Sequence, residues 1–438
     1  MSITPSTATA VRLYGPEHAA DPQRSYELLR RQGPVGLAEI DTGLVVHLVT
    51  DYEAAIRLLQ DTDTWSKDTR PWLARVPENS PIRPVVEWRP SLIFADGDEH
   101  AHLRKVITDS FALLDPNDVR VLTFRHADRL LQDFADTGTV DLVSQYAQQL
   151  PLMVFNGLFG MGDEHGPRLV GALAAMMDTD PERKAAGAQS FGAYLGALYQ
   201  TKAAHRGHDL TSWFIDHPNG LTQEEAINQI IITLGAGNEP TANLIANTCV
   251  RMLSDDRYFG TLTTGSLPVQ HAIDDALWYD SPVANYSFHS PRKDVNFYGT
   301  DIPAGSPVMV SYAAANTCPH SGVPADGYRS GTKAHLAFAA GPHACPARSL
   351  AVLIATAAIE RLASYLPDIE LAVAPAELTY RDGPVYRTLT SLPARFTPLT
   401  PDAEGVTPWS RSSIDPGTDR DPSLPSLATA GRGSVRSS

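Results

Sequence analysis

Residues 335–347 read HLAFAAGPHACPA and carry the most informative pattern in this chain of 438 residues. Within this stretch Cys345 ends a loop of small residues and is followed at once by Pro346. Apolar residues then recur at three- and four-residue spacing, which predicts a helix. They are Ala347, Leu350, Ala351, Ile354, Ala358 and Leu362. Because proline is well tolerated at the first helical position, we expect Cys345 to be the N-cap of this helix.

A cysteine at the start of a helix is well placed to bind a metal ion. The free N–H groups of Ala347 and Arg348 and the positive end of the helix dipole would favour the thiolate form of Cys345. A thiolate presented by a loop of glycine and alanine is a good soft ligand for iron. The sequence therefore makes Cys345 a candidate iron ligand.

Two other interpretations of the cysteines stay open. A single cysteine in a helix is most often a small buried hydrophobic residue, and we assign Cys249 to this group. Zinc is a second possibility for Cys345, because Cys318-x-His320 and His343-x-Cys345 look like paired ligands. Structural zinc sites prefer two to four residues between the ligands of a pair, so a single intervening residue is poor geometry.

The loop resembles the cysteine-ligand loop of the cytochrome P-450 superfamily, the haem-thiolate monooxygenases. The family pattern F-x-x-G-x-[HR]-x-C-x-[GA] is met by Phe338, Gly341, His343, Cys345 and Ala347. The glycine that usually follows the phenylalanine is replaced by Ala339. The resemblance implies that Cys345 binds the iron of haem b (iron protoporphyrin IX) and that Phe338, His343 and Ala347 lie beside it.

Composition excludes several other classes of protein. The formal net charge is −15, which argues against a nucleic-acid partner because phosphate binding needs basic patches. Three cysteines give no disulfide framework, so we expect a reducing, cytoplasmic location. No window approaches the ~18 apolar residues of a membrane span, so no membrane association is expected. The hydrophobic content of 43% is enough for a sizeable core.

Basic residues elsewhere suit the acidic side chains of a haem. His100 and Arg104 are four residues apart, so they share one face of a predicted helix and could hold a dianionic ligand such as the haem propionates. A solvated helix turn would explain the pair equally well by itself, but the family carries H-x-x-x-R at this place. The family arginine that precedes x-x-x-x-D-V is His289 here, which implies a weaker and pH-sensitive propionate donor.

A long helix is predicted from Leu221 to about Leu253, and Thr222 with Glu225 forms a capping box at its start. The segment Gly235–Thr241 reads GAGNEPT, and we expect its glycines and proline to loosen and kink the helix. It resembles the family pattern A-G-x-[DE]-T on the oxygen side of the haem. Glu239 takes the place of the acid.

The family threonine after this acid is replaced by Pro240, and Thr241 follows one place later. Thr241 would point roughly 100° around the helix from the family position. In the family, the acid and the hydroxyl organise proton delivery to dioxygen, a form of general-acid catalysis. We therefore expect a relay of Glu239 and water, with Thr241 or a hydroxyl group of the substrate as further members.

The E-x-x-R motif of the family is degenerate in this chain. Asp275 stands at the glutamate position and Trp278 at the arginine position, so the family ion pair is lost. In the family this pair holds a third arginine in the loop before the cysteine. Arg329 lies near that place, and a cation–π contact with Trp278 is a possible replacement.

The resemblance runs in order over residues 20–398 and implies a mostly α fold with small β-sheets (α+β). Haem would lie between the long central helix and the helix that follows the cysteine. We expect residues 1–12 to be a flexible arm, residues 13–399 a single catalytic domain and residues 400–438 a disordered tail rich in Ser, Pro and Gly. Pro71–Pro90 is expected to be a long loop over the substrate pocket.

The implied activity is that of a monooxygenase that inserts one oxygen atom from O₂ into a medium-sized organic substrate. No flavin or NAD(P)H module is visible, so electrons would come from a ferredoxin and its reductase. The missing hydroxyl at Pro240 and the missing arginine at Trp278 support a second hypothesis, a haem protein that has lost ordinary oxygenation and acts as a sensor or scaffold. Peroxide-driven or isomerase chemistry is a third hypothesis.

Overall fold

The computed structural model describes residues 9–176, 180–255, 258, 269–322 and 332–399. The predicted disordered tail and Arg329 lie outside the described residues, as do the first eight residues of the predicted arm. The end of that arm was wrongly assigned, because Val11–Arg12 forms a strand that pairs in parallel with residues 38 and 39.

Short helices and sheet strands make up the N-terminal part of the chain. They are β1 (Val11–Arg12), α1 (Pro16–Ala20), α2 (Pro22–Arg30), β2 (Val35–Asp41), β3 (Leu44–Val49), α3 (Tyr52–Gln60), β4 (Trp65–Ser66), α4 (Arg70–Leu73) and α5 (Arg83–Val86). Strands β2 and β3 form an antiparallel pair in which Val35 lies opposite Val49. Alternating burial along both strands matches their alternating sequence.

Helices dominate the middle of the chain. They are α6 (Gly97–Ala112), α7 (Pro116–Gln132), α8 (Leu150–Leu158), α9 (Gly166–Met176), α10 (Pro181–Ala204), α11 (Leu210–Asp216), α12 (Gln223–Ser254) and α13 (Val269–Tyr279). Strand β5 (Thr139–Asp141) and a π-helical turn at Val143–Ala147 separate α7 from α8. The predicted helix-rich class is confirmed.

The C-terminal part completes the sheets and adds the helix after the cysteine. Its elements are β6 (Asn285–Pro291), β7 (Val295–Phe297), β8 (Thr300–Ile302), β9 (Val308–Ser311), α14 (Tyr312–Asn316), α15 (Arg348–Tyr365), β10 (Glu370–Leu371) and β11 (Pro393–Arg395). A six-stranded sheet has the order β1-β2-β3-β9-β6-β4, and β10-β11-β5 forms a three-stranded sheet. Two hydrophobic clusters cover the larger sheet.

The central helix α12 packs against α8, α13 and α15. Its capping box is present: the Thr222 hydroxyl accepts from the Glu225 N–H at 3.2 Å, and the Glu225 carboxylate accepts from the Thr222 N–H at 2.8 Å. The expected loosening at Gly235–Thr241 is not observed, because the helix continues without interruption through Pro240 to Ser254. Tight packing of the second half, where residues 241–249 are all buried, holds the helix together at the proline.

The segment Pro71–Pro90 is more ordered than its proline content predicts. It contains α5 and most of α4, and Trp72 is fully buried. The Trp72 ring packs against Phe288 of β6 with ring centroids 5.4 Å apart. Burial of a large aromatic side chain therefore fixes a segment that local sequence predicts to be a loop. Within the described residues, no helix combines the length and apolar character needed to cross a membrane.

Candidate functional site

The loop that carries Cys345 is fixed by its own backbone. The Cys345 N–H donates to the Phe338 carbonyl at 2.9 Å, and the Ala344 N–H donates to the Gly341 carbonyl at 3.0 Å. Helix α15 begins at Arg348 with Ala347 as its N-cap, so the prediction of Cys345 at the N-cap was wrong by two residues. The physical reason is that Pro346 and Ala347 form a turn before the helix starts.

Two residues of this loop adopt left-handed backbone conformations. Gly341 has φ +70°, and a Cβ atom there would lie 2.2 Å from the carbonyl oxygen of Leu59. Only glycine fits this position, since both the conformation and the close backbone approach exclude a side chain. Ala339 has φ +57° although it carries a Cβ atom, at the position where the family pattern has glycine. The loop therefore contains a strained alanine.

The Cys345 thiol experiences opposing electrostatic influences. Burial raises the pKa of the thiol, because a thiolate loses hydration there. The Ala347 backbone N–H, which bonds to the sulfur, and the charges of Arg104 and Arg348 lower the same pKa. The residue as a whole is only half-buried. These three neighbours would stabilise the thiolate once a metal ion displaces the proton.

Four of the basic residues predicted from the sequence come together near this loop. His100 and Arg104 share one face of α6, and the His100 ring lies on the His343 ring with centroids 3.9 Å apart. His289 in β6 is buried, and its Nδ1 bonds to the Ser287 carbonyl at 2.5 Å. Burial followed by the charge of Lys67 lowers the pKa of both His289 and His343.

Lys67 completes this group and was missed by sequence reasoning. It is buried, and its Nζ donates to the Phe288 carbonyl at 2.8 Å and to the Ser287 hydroxyl at 3.1 Å. Burial lowers the Lys67 pKa to about 7. No local pattern marks this lysine, which follows a two-residue strand. We call Lys67, His100, Arg104, His289 and His343 the basic cluster.

Asp96 ties Lys67 to the helix that carries His100 and Arg104. It lies directly before α6, but its carboxylate does not cap that helix. Instead it accepts from the Lys67 N–H at 3.0 Å, the Ser66 hydroxyl at 2.5 Å and the Arg292 guanidinium at 2.9 Å. The Asp96 carboxylate thus joins three parts of the chain: the segment after β4, the start of α6 and the end of β6.

The basic cluster contains donors that no protein group uses. His100 Nε2 and Arg104 Nη1 are buried without a hydrogen-bond partner. Buried polar atoms in native proteins are nearly always paired, so such atoms need an explanation. Burial, and then the Arg104 charge, lowers the His100 pKa to about 4, which shows the cost of charging this cluster without a counter-ion. A bound dianion would supply both missing acceptors and the missing negative charge.

On the central helix, Glu239 meets a partner that the sequence did not predict. The Thr388 hydroxyl donates to Glu239 Oε1 at 3.2 Å and accepts from Asn243 Nδ2 at 2.9 Å. The Arg381 guanidinium lies 4.0 Å from the same carboxylate. Thr241 is buried about 200° around the helix axis from Glu239, on another face. The structure therefore places Thr388, not Thr241, beside the acid.

A close helix contact fixes the segment before Glu239. A Cβ atom at Gly237 would lie 2.5 Å from the ring of Phe155 on α8. Gly235 and Ala236 are exposed although they lie near the middle of α12, so they border open space. Gly237 therefore allows α12 and α8 to pack closely, while Gly235 and Ala236 leave the neighbouring space open.

The degenerate motif on α13 is replaced by other contacts. Asp275 accepts a hydrogen bond from the Tyr258 hydroxyl at 2.6 Å. Trp278 Nε1 donates to the Thr332 carbonyl at 3.0 Å, at the start of the segment that leads to Cys345. The predicted cation–π partner, Arg329, lies outside the described residues.

The paired Cys–His sequences that suggested zinc point to different partners. Cys318 Sγ accepts from the Tyr52 N–H at 3.3 Å, and His320 Nδ1 bonds to Asp51 at 2.6 Å. His343 instead stacks on His100. Within the part of the chain that the structure describes, no three His, Cys, Asp or Glu side chains are grouped to hold a metal ion.

Comparisons with known proteins point in one direction. No protein-family model matches this chain. The chain is 31% identical over 395 residues to the cytochrome P-450 monooxygenase PikC of Streptomyces venezuelae, covering 87% of this chain and 92% of that protein. It is 30% identical over 393 residues to the 2-hydroxy-5-methyl-1-naphthoate 7-hydroxylase of Streptomyces carzinostaticus, covering 86% and 95%. The solved structure of CYP154C4 from Streptomyces sp. ATCC 11861 aligns with a TM-score of 0.80 at 26% identity, covering 89% of this chain and 98% of that one.

Proposed function

Since this chain belongs to the cytochrome P-450 superfamily and is a bacterial monooxygenase of that family, we propose that it binds haem b and that Cys345 would ligate the haem iron. The observation that carries this proposal is a thiol on a rigid loop beside a basic cluster with two unpartnered buried donors. A dianionic, iron-containing group satisfies both features at once.

The residues present fit the haem group. His100 and Arg104 would bind the propionates through the donors that now lack partners, with Lys67, His289 and His343 supplying further positive charge or donors. Phe338 and Ala347 would lie beside the macrocycle as members of the Cys345 loop. When bound, haem supplies the activation of O₂ and the transfer of one oxygen atom.

The chain's own residues control the proximal ligand. Cys345 would bind as a thiolate, with Ala347 N–H donating to its sulfur and with Arg104 and Arg348 stabilising its charge. Hydrogen bonds and charges around a ligating sulfur tune the reduction potential of the metal. Pro346 lacks an N–H, so the Ala347 N–H is the nearest following backbone donor.

Proton delivery is the second task of the chain. The Glu239 side chain is 31% exposed, whereas Thr388 is buried. A carboxylate that reaches solvent and bonds to a buried hydroxyl can pass protons inwards through that hydroxyl. We therefore place Glu239 and Thr388 in the relay, with Thr241, on another face of α12, as a second hydroxyl. In this arrangement the Thr388 hydroxyl would take the place of the family threonine hydroxyl, which Pro240 lacks.

The substrate is a small organic molecule, and we assign its oxidation to residues 13–399 as one catalytic domain. The relatives of this chain include the 2-hydroxy-5-methyl-1-naphthoate 7-hydroxylase. We propose a medium-sized organic substrate and electrons from a ferredoxin and its reductase. Turnover with a surrogate ferredoxin pair, NAD(P)H and a panel of such substrates tests this assignment. Substrate-dependent NAD(P)H use with an oxygenated product supports it, whereas product formed only with added peroxide contradicts it.

The absorption spectrum of the reduced, carbon-monoxide-bound protein tests the haem site directly. We expect a strongly red-shifted Soret band in the parent protein and its loss in Cys345→Ala, because thiolate ligation causes the shift. Cys249→Ala is the matched control, since Cys249 is a buried thiol away from the loop, and it should keep the band. A parent protein purified with added haem that shows no haem spectrum would contradict the proposal.

A further inference from the structure

Helix α13 and the Cys345 loop are joined by a buried tryptophan. Trp278 is 1% exposed, and its Nε1 donates to the Thr332 carbonyl at 3.0 Å. Its ring meets the His335 ring edge-on, with centroids 5.7 Å apart and planes at 88°. An edge-to-face aromatic pair and a buried hydrogen bond are both directional, so together they fix where this segment lies relative to α13.

A second connection runs through Asn316 at the end of α14. Its Nδ2 donates to the Leu277 carbonyl of α13 at 3.2 Å and to the Ser281 hydroxyl, two residues beyond the end of α13, at 3.1 Å. Its Oδ1 accepts from the Leu336 N–H at 2.7 Å. One uncharged side chain thus bridges α13 and the residue next to His335.

The aromatic contacts continue from Trp278 to the first turn of α15. His335 contacts the Phe338 ring with centroids 5.8 Å apart, and the Arg348 guanidinium lies 5.5 Å from the Phe338 centroid. Both ring nitrogens of His335 are buried without a hydrogen-bond partner, so this histidine serves as a flat ring rather than as a polar group. Trp278, His335 and Phe338 form a row that we call the aromatic row.

We propose that Trp278 is a positioning residue that holds the Cys345 loop through its Nε1 hydrogen bond and its edge-on contact with His335, in the place where the family uses the E-x-x-R ion pair. The inference rests on the proposed haem site. The aromatic row and Asn316 together keep the Cys345 loop in its shape.

The rate of haem transfer from the holoprotein to excess apomyoglobin measures this positioning. We expect Trp278→Ala to lose haem roughly tenfold faster than the parent, the effect of about one lost hydrogen bond and one aromatic contact. Trp278→Phe keeps a ring but loses the Nε1–H donor, so its rate should fall between the two. His335→Phe should match the parent, because His335 acts only as a ring.

Phe134→Ala is the matched control, since Phe134 is equally buried but packs on Phe396, away from this connection. It should lower thermal stability with little change in haem transfer. Hydrogen exchange at the amides of Leu336, Ala339 and Cys345 gives a measurement that does not require haem, and it should accelerate in Trp278→Ala. The inference is overturned if Trp278→Ala releases haem no faster than Phe134→Ala and leaves these amides protected. If the parent binds no haem, the proposed function fails, while hydrogen exchange still decides the role of Trp278.

Discussion

The Cys345 side and the α12 side of the proposed site differ in how they depart from the family pattern. On the Cys345 side, Trp278 and His289 stand at two positions where the family has arginine, and the buried Lys67 bonds to the two residues before His289. On the α12 side, the lost threonine hydroxyl is replaced by Thr388, which bonds to a partly exposed carboxylate. In the proposed function, the first side holds the haem and the second delivers protons.

This difference separates the effects of substitution. Changes on the Cys345 side should alter folding and haem retention, because its residues act through packing and buried charge. Changes on the α12 side should leave both intact and alter turnover, because one hydroxyl on a half-buried acid contributes little to stability. The four predictions below test this separation, beginning with the largest expected effect.

Gly341→Ala should destabilise the protein by roughly 3–4 kcal/mol, because it adds a steric clash to an unfavourable backbone conformation. The added Cβ atom would lie 2.2 Å from the Leu59 carbonyl oxygen, and backbone cannot move aside cheaply. Gly299→Ala is the matched control, since Gly299 has φ +85° but no atom within 4 Å of its would-be Cβ. It should cost only about 1 kcal/mol. Chemical denaturation measures both, and equal costs would show that the contact with Leu59 is unimportant.

Lys67→Met should stabilise the haem-free protein but make the haem-bound protein release haem faster. The folded chain holds the pKa of Lys67 at about 7, against 10.5 for an ordinary lysine, because of burial. Between these pH values the unfolded chain binds more protons, so the free energy of unfolding of the parent rises with pH across this window. Below pH 7, Lys67→Met should therefore stabilise the haem-free protein by about 2–3 kcal/mol, and the gain should vanish towards pH 10.5.

The same variant should release haem faster, because the basic cluster loses a cation. Lys105→Met removes an exposed lysine of α6 and is the control for net charge. Denaturation of haem-free protein at several pH values and transfer to apomyoglobin measure the two effects. A pH-independent difference from the parent would mean that Lys67 titrates as an ordinary lysine.

Glu239→Gln should lower product formed per NAD(P)H consumed by about tenfold while leaving haem retention unchanged, because the relay loses its acid. Thr388→Val should act in the same direction, since it removes the hydroxyl that donates to Glu239. Thr248→Val is the matched control: it is a buried threonine of α12 whose hydroxyl bonds only to the Leu244 carbonyl. Unchanged coupling in Glu239→Gln would exclude the relay, and a loss only in Thr241→Val would move it to that hydroxyl.

Sequence reasoning found the parts of the site that are local in the chain. The Cys345 loop, the His100–Arg104 pair and the capping box at Thr222 depend on spacings of a few residues. The structure shows the pair on one helix and the capping box as predicted, while the helix after Cys345 begins two residues later than predicted. Lys67 and Thr388 could not be found in this way. Their contacts join residues 221 and 149 positions apart, and neither has a distinctive neighbourhood in the sequence. Pairings of this kind are set by the tertiary fold.

Two local predictions also failed for tertiary reasons. The segment around Trp72 reads as a proline-rich loop, but the energy of burying one indole ring orders it. Pro240 should interrupt α12, but the buried residues that follow it keep the helix continuous. In both cases the gain from burial exceeds the local preference of the backbone.

Ala339→Gly should give the smallest effect and the most informative sign. Its φ of +57° costs an alanine about 1–2 kcal/mol, and glycine removes this strain at an entropic cost of about 0.5–1 kcal/mol. The net result should be a stabilisation of about 0.5–1 kcal/mol. Ala340→Gly is the control at the next residue, which has no positive φ, and it should destabilise by about 0.5–1 kcal/mol.

Opposite signs at two adjacent alanines would show that the Cys345 loop holds Ala339 in a strained conformation through its surroundings. Those surroundings include the Ala339 N–H bond to the Leu336 carbonyl at 2.8 Å and the Cys345 N–H bond to the Phe338 carbonyl. Destabilisation by both substitutions would instead mean that the methyl group of Ala339 contributes more through packing than its backbone loses through strain. In that case the left-handed conformation would require glycine only at Gly341, where a side chain would collide with Leu59, and not at Ala339.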